Sequence, residues 1–209
     1  MSQFSFSKNS LQRLNLYFQE DINPIQEWCK KNIDFALVRT NYNKQKRWTA
    51  ISIIGYSSDP LEISKPSVLG ASEVLGDLQE TPLAKEFKIQ DILDKFPGRT
   101  DRVRLMKLEK NSKITKHTDK VYKDIKEYKI LRLNIPIITN SETTVYSWNT
   151  KKEMLQTNMK MGECWYLDVS KAHAVTNDGL EDRIHLVIDV ENNKNVRNLF
   201  NEPCGPLGF

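Results

Sequence analysis

The sequence predicts a mainly β chain with helices at its N-terminus, its strands folded as an antiparallel sandwich or barrel of jelly-roll type. Two observations carry this reading. From Val103 onward the apolar residues alternate with a period of two, in short runs. Turn signals separate most of those runs, at Lys110-Asn111-Ser112, Asn140-Ser141, Met161-Gly162 and Asn177-Asp178-Gly179.

Taken in order, residues 1–34 read as helical. Leu11, Leu14, Tyr17 and Phe18 recur at helical spacing, and Asn23-Pro24 opens a second short helix through Ile25, Trp28 and Cys29. Phe35 to Arg39 is a short strand, and Asn41 to Arg47 a polar, basic loop. Trp48 to Gly55 alternates and is β-rich, with Trp48, Ala50, Ser52 and Ile54 on one face. Residues 56–82 hold Gly, Pro and Ser at close intervals and read as an exposed excursion, a candidate lid or substrate loop. Pro82 to Phe96 is a helix with Leu83, Phe87, Ile89, Leu93 and Phe96 inward, stopped by Pro97-Gly98. Strands follow at 102–109, 113–118, 130–138, 143–148, 163–168, 172–176 and 183–190. Residues 191–209 are polar, then Pro/Gly-rich, and read as a loosely packed tail. With no repeat or linker, residues 1–209 are expected to form one domain: a helical and irregular part over 1–99, the strand core over 100–190, and the tail.

Composition excludes several classes. At 209 residues the chain can bury a core without disulfides or a structural metal. Cys29, Cys164 and Cys204 form no Cys-x-x-Cys pair, which fits a reducing compartment and argues against a zinc knuckle. Met1 to Ser10 has no apolar run, and no stretch approaches the roughly 20 apolar residues of a membrane span. A cytoplasmic protein with no membrane partner is expected. The net charge of +4, from 31 basic and 27 acidic residues, is mild. The lysines around 44–47, 107–116 and 120–129 mostly alternate with apolar or acidic residues, which marks a solvated face rather than a nucleic-acid track.

The chemistry gathers in the second half, which holds all three histidines, His117, His173 and His185. His117 and Asp119 are two apart, so a strand projects both from one face. An imidazole and a carboxylate side by side are two ligands of the 2-His-1-carboxylate triad that holds Fe(II) with open positions. His173, opening a strand after a turn, is the third; His185 is the rival, with a core or supporting role as its alternative. Arg183 follows His173 by ten residues, across what reads as a hairpin. A guanidinium near a buried metal needs an anion, and a dicarboxylate bridging metal and arginine meets that need.

His117-x-Asp119, His173 and Arg183 together resemble the Fe(II)/2-oxoglutarate-dependent oxygenases. Arg104-Leu105-Met106-Lys107-Leu108, Arg132-Leu133-Asn134-Ile135-Pro136-Ile137, Gly162-Glu163-Cys164-Trp165 and Arg183-Ile184-His185-Leu186-Val187-Ile188-Asp189 narrow the resemblance to the aspartyl/asparaginyl β-hydroxylases, over roughly residues 100 to 190. The resemblance implies a double-stranded β-helix core of cupin-like type. It implies iron on His117, Asp119 and His173, and the distal carboxylate of 2-oxoglutarate on Arg183. Arg132 and Asn134 occupy the family's Arg-x-His co-substrate motif, and Trp48 matches a tryptophan at that pocket's wall. Asn134 replaces the usual histidine, although an amide still donates. Ile130 stands where aspartyl hydroxylases carry an arginine for their acidic substrate. The implied reaction consumes O2, decarboxylates 2-oxoglutarate to succinate and hydroxylates a C–H bond of an amino acid or peptide side chain. Arg104, on a strand face with Met106, is the candidate for a substrate carboxylate. Two other readings stay open: a cupin-type metal-binding protein that does not use 2-oxoglutarate, in which Arg183 points to solvent, and a non-enzymatic binding module.

Overall fold

Two antiparallel sheets, one of eight strands and one of four, carry the chain's architecture. The structure is a computed structural model, and it describes residues 5–6, 8–32, 34–63, 77–119 and 127–200. In chain order the elements are β1 (Leu11–Tyr17), α1 (Asn23–Lys31), β2 (Ala36–Leu37), β3 (Trp48–Gly55), β4 (Gln79–Glu80), α2 (Pro82–Glu86), α3 (Ile89–Leu93), β5 (Thr100–Leu108) and β6 (Ser112–His117). Then come β7 (Ile130–Ile138), β8 (Thr143–Trp148), β9 (Met154–Thr157), β10 (Glu163–Leu167), β11 (His173–Asn177), β12 (Arg183–Glu191) and α4 (Lys194–Asn198). The large sheet runs β1-β10-β7-β12-β5-β3-β2, with β4 also on β3; the small sheet runs β6-β11-β8-β9. The expected mainly β, jelly-roll architecture is present. No helix among the described residues is long and apolar enough to cross a membrane.

The alternation of β12 explains the layering. Ile184, Leu186, Ile188 and Val190 face one way and join a core with Ile25, Phe87, Ile92 and Phe96 from the helical layer. Arg183, His185, Val187 and Asp189 are the alternate residues and face the other way, yet all four are buried. A second, smaller core of Leu108, Ile114, Val145, Leu167 and Val175 fills the space between the sheets at one end. One face of the large sheet is therefore oily and buttressed, while the other presents charge inside the molecule.

Several elements differ from the sequence expectation. Leu11 to Tyr17 is a strand, not a helix. The apolar spacing that mimics a helix comes from a register shift between Leu14 and Tyr17 against β10. Leu14 and Leu11 also pack into different cores, which one helical stripe cannot do. The helix over 82–96 is two short ones, broken where Lys88 takes φ 49°. Its expected inner residues are buried all the same. Strand β9 was not expected, because it is an edge strand with mostly exposed side chains and so has no apolar alternation. The described part of the tail, to Phe200, is anchored rather than loose: Val196 and Phe200 are both in the main core; residues 201–209 lie outside the described residues. Of the 56–82 excursion, residues 64–76 lie outside the described residues.

The most consequential difference concerns β11 and β12. They do not pair as a hairpin: β11 lies in the small sheet and β12 in the large one. The turn between them carries the chain from one sheet to the other. Asn177 fixes that crossing. Its amide nitrogen donates to the carbonyls of Leu108, Glu109 and Glu181 at 3.2, 3.1 and 2.8 Å, and its oxygen accepts from Asn140 at 3.0 Å. Gly179 follows in a position where a Cβ would collide with the Asn140 side chain. The turn is thus fully hydrogen-bonded at its root and pairs the two sheets instead of two neighbouring strands.

Candidate metal centre and anion pocket

On the small sheet, β6 and β11 pair with His117 directly opposite His173. The two rings stand 4.2 Å apart, centroid to centroid. Asp119 lies two residues beyond His117, past the end of the strand, where its N–H donates to Val169 O at 2.9 Å. Its Oδ1 is 3.3 Å from His117 Nε2 and 3.9 Å from His173 Nε2. One ligand atom from each of the three residues falls within 4.8 Å of the others, and they are the one such metal-capable group among the described residues.

The outer nitrogens are already committed. His117 Nδ1 pairs with Thr115 O at 2.7 Å and His173 Nδ1 with Lys171 O at 3.0 Å. A carbonyl only accepts, so each Nδ1 carries the proton and each Nε2 presents a lone pair inward. His117 Nε2 is buried without a hydrogen-bond partner. Burial also pushes His173 toward its neutral, ligating form, against the pull of Asp119. Two oriented imidazoles and one carboxylate, with a buried nitrogen lacking a partner, fit a divalent iron of the facial-triad type.

Burial alone would raise the Asp119 carboxyl, but the adjacent His117, Arg132 and His173 outweigh it, and the net direction is down. Arg132 on β7 is the structural part of that effect. Its Nη1 reaches Asp119 Oδ2 at 3.2 Å, while Nε and Nη2 donate to Asp189 Oδ1 and Oδ2 at 2.7 and 2.9 Å. Arg132, read from the sequence as a co-substrate contact, is engaged with two carboxylates and holds the Asp119 side chain in place.

The large sheet supplies the opposite wall. In register across it lie Ser52, Arg104, Val187, Asn134 and Trp165, from β3, β5, β12, β7 and β10. Arg104 Nη2 is 3.7 Å from Asp189 Oδ2, and its Nε and Nη2 make no hydrogen bond. Burial, then the neighbouring Arg102 and Arg132, push its guanidinium well down. The Asn134 amide nitrogen is likewise buried without a partner. Arg183 is 5% exposed, and burial pushes it down to about 9. Its Nη2 meets His185 Nδ1 at 2.7 Å, and its Nε is without a partner. His185 is thereby excluded from the metal-capable group and belongs to Arg183. A wall of buried donors lacking acceptors fits an anionic, oxygen-rich ligand such as a dicarboxylate.

Trp48 sits at the rim, its ring 6.5 Å from that of His117. Sequence reasoning missed its neighbour Tyr42, which stacks on His117 at 3.6 Å with a 14° interplanar angle and donates its hydroxyl to Asp119 Oδ1 at 3.4 Å. Burial and the Asp119 charge push the Tyr42 phenol up to about 12. The 41–47 loop that holds it is shaped by Asn43, whose side chain bonds the backbone of Val38 and Trp48, and is pinned to β6 where Thr115 N–H donates to Tyr42 O. An aromatic inside a polar run was the available signal. Asp189 was also missed; its signal was a carboxylate on the strand face that also carries Arg183 and His185.

Solved structures share the fold in which this geometry sits. The solved structures that the chain resembles include a 2OG-Fe(II) oxygenase family oxidoreductase from Burkholderia pseudomallei, with TM-score 0.57 and 12% identity over 94% of this chain and 99% of that one. AviO1 from Streptomyces viridochromogenes matches with TM-score 0.51 and 11% identity, over 91% and 93%. A Pseudomonas putida prolyl-4-hydroxylase matches with TM-score 0.50 and 8% identity, over 88% and 93%. At such identities the likeness is one of fold. Among curated proteins none matches the sequence. The profile of the family described as aspartyl/asparaginyl beta-hydroxylase matches residues 21–193, and on that match the chain belongs to the aspartyl/asparaginyl β-hydroxylase family.

Proposed function

We propose that the protein is an Fe(II)/2-oxoglutarate-dependent oxygenase that hydroxylates a C–H bond of an amino acid or peptide side chain. The observation that carries this is Arg183: a buried guanidinium with no carboxylate at ion-pair distance among the described residues, inside the same fold as the His117, Asp119 and His173 group. The reading without 2-oxoglutarate required Arg183 at the surface, and it is not there.

His117, Asp119 and His173 hold the metal, and Arg183 holds the distal carboxylate of 2-oxoglutarate. Bound iron supplies the oxidative chemistry by which 2-oxoglutarate and O2 give succinate, CO2 and a hydroxylated product. Arg132 keeps the Asp119 carboxylate ionised and aimed. Tyr42 and Trp48 cover the metal side and exclude water there. Arg104, buried with its Nε and Nη2 lacking hydrogen bonds, receives a carboxylate of the substrate.

Anaerobic addition of Fe(II) and 2-oxoglutarate should give a visible metal-to-ligand charge-transfer band that is absent in His117→Ala. A wild-type protein that binds metal yet shows no band would overturn the assignment. Turnover screened against free amino acids and peptides, read as succinate formed and the mass gain of one oxygen, identifies the substrate class.

A further inference from the structure

We propose that Lys171 is a positioning residue for the metal site: it fastens the connection between β10 and β11 to the N-terminal segment, so that the chain around Phe6 and Asn9 sets the metal affinity. This rests on the metal site in the reading above and adds residues that touch neither metal nor co-substrate.

The connection, residues 168–172, carries the chain from the large sheet to the small one. Its carbonyls hold two of the three metal-capable residues. Val169 O accepts the Asp119 N–H at 2.9 Å, and Lys171 O is the partner of His173 Nδ1 at 3.0 Å. Ala172 O accepts the N–H of Trp148 at 2.9 Å, which ties the same stretch to β8. A shift of this backbone therefore moves Asp119 and turns the His173 ring, and ligand orientation of this kind governs metal affinity.

Asp168 gives the connection its shape: its Oδ1 accepts from the N–H and the hydroxyl of Ser170 at 3.0 and 2.6 Å. Lys171 fixes that shape in place. An ammonium has three donors, and three acceptors surround this one: Phe6 O at 2.8 Å, Asn9 O at 2.7 Å and Asp168 Oδ2 at 3.0 Å. The Lys171 side chain is 11% exposed, a degree of burial that lysine reaches only when paired. Next to it, Ser10 O accepts the Asp168 N–H at 2.9 Å and the Ser147 hydroxyl at 3.4 Å, and Ser147 lies directly opposite His173.

The other end of the clasp is aromatic. The Phe6 ring packs on Tyr128, Tyr166 and Phe200, with centroids 5.9, 5.6 and 4.9 Å away. The Tyr128 hydroxyl returns to Asp168 Oδ2 at 3.3 Å. The N-terminal segment is thus seated in an aromatic cluster and tied by one ammonium to the backbone that holds Asp119 and His173. Unseating Phe6 slackens that tie without removing any group from the metal site.

The test compares Lys171→Met and Phe6→Ala with Val196→Ala, a truncation in the main core, all in the full chain. Zn(II) affinity is read by isothermal titration and global stability by urea unfolding. Lys171→Met and Phe6→Ala should each weaken zinc roughly tenfold, while Val196→Ala lowers stability and leaves zinc binding unchanged. Amide exchange of the Asp119 N–H in metal-free protein gives a second readout. It should quicken in the first two variants by more than their loss of global stability, and in Val196→Ala by no more than that loss. Phe6→Ala keeps the Lys171 ammonium and Asp168 paired, so it decides the question alone if Lys171→Met does not fold. Zinc affinity equal to that of Val196→Ala, with Asp119 exchange tracking global stability, overturns this inference alone. A wild-type protein that binds no divalent metal overturns the metal site itself.

Discussion

Asp189 grips Arg132 through both carboxylate oxygens, at 2.7 and 2.9 Å, and the third nitrogen of that guanidinium reaches Asp119. The three residues come from β12, β7 and the segment after β6, so a single arginine ties the metal-side carboxylate to the central strand of the large sheet. Replacing Arg132 with Met is expected to weaken metal binding by roughly 10–100-fold, as for other residues that orient a ligand. Isothermal titration with Mn(II) or Zn(II) reads it. Unchanged affinity would mean that Asp119 is held by its backbone alone.

Removing the other end of the pair tests stability. Asp189→Ala leaves a buried guanidinium without its bidentate partner, and should cost about 3–5 kcal/mol in urea unfolding. The pH profile gives a second reading. Burial alone would raise the Asp189 carboxyl, but Arg132, with Arg104 and Arg102, holds it down at about 2 in the folded protein, against an ordinary aspartate value of 3.8. A depressed folded value stabilises above the unfolded value and is lost as pH falls through the folded one. Wild-type stability should therefore drop between about pH 4 and pH 2 more steeply than that of Asp189→Asn.

Arg183→Ala should weaken 2-oxoglutarate by roughly 10–150-fold, the worth of a charged hydrogen bond, with metal affinity unaltered. Parallel losses of both would assign Arg183 to the framework rather than to the co-substrate.

Tyr42→Leu removes the ring stacked on His117 and the hydroxyl beside Asp119. Metal affinity should fall while the melting temperature changes little, because the side chain sits at the rim. A large loss of stability with intact metal binding would make Tyr42 a packing residue.

Away from the site, Lys88 holds a left-handed backbone conformation between α2 and α3 with an exposed side chain. Lys88→Gly should raise unfolding free energy by about 1 kcal/mol with no effect on ligand binding. Equilibrium urea denaturation measures it.

Much of this was legible in the sequence because it is carried by spacing. His117, Asp119, His173 and Arg183 were found from intervals of two and ten residues, and the core strands from an alternation that the pleat imposes. What was not legible depends on partners distant in sequence. A register shift against β10 made β1 look like a helix. Arg132 read as a ligand contact because nothing local announces that Asp189, 57 residues away, occupies it. An Asn-Asp-Gly turn between two strands reads as a hairpin, and only the far contacts of Asn177 show the chain leaving one sheet for the other.

His117 and His173 belong to the small sheet, while Arg183, His185, Asn134 and Arg104 belong to the large one. On the proposed function, the co-substrate would bridge the spacing between two sheets, one backed by a helical layer and the other with an exposed outer edge. A molecule held at both ends acts as a tie-rod across the molecule. Its arrival would clamp the two sheets together, and amide exchange along β6, β11 and β8 would gauge whether the pocket is filled.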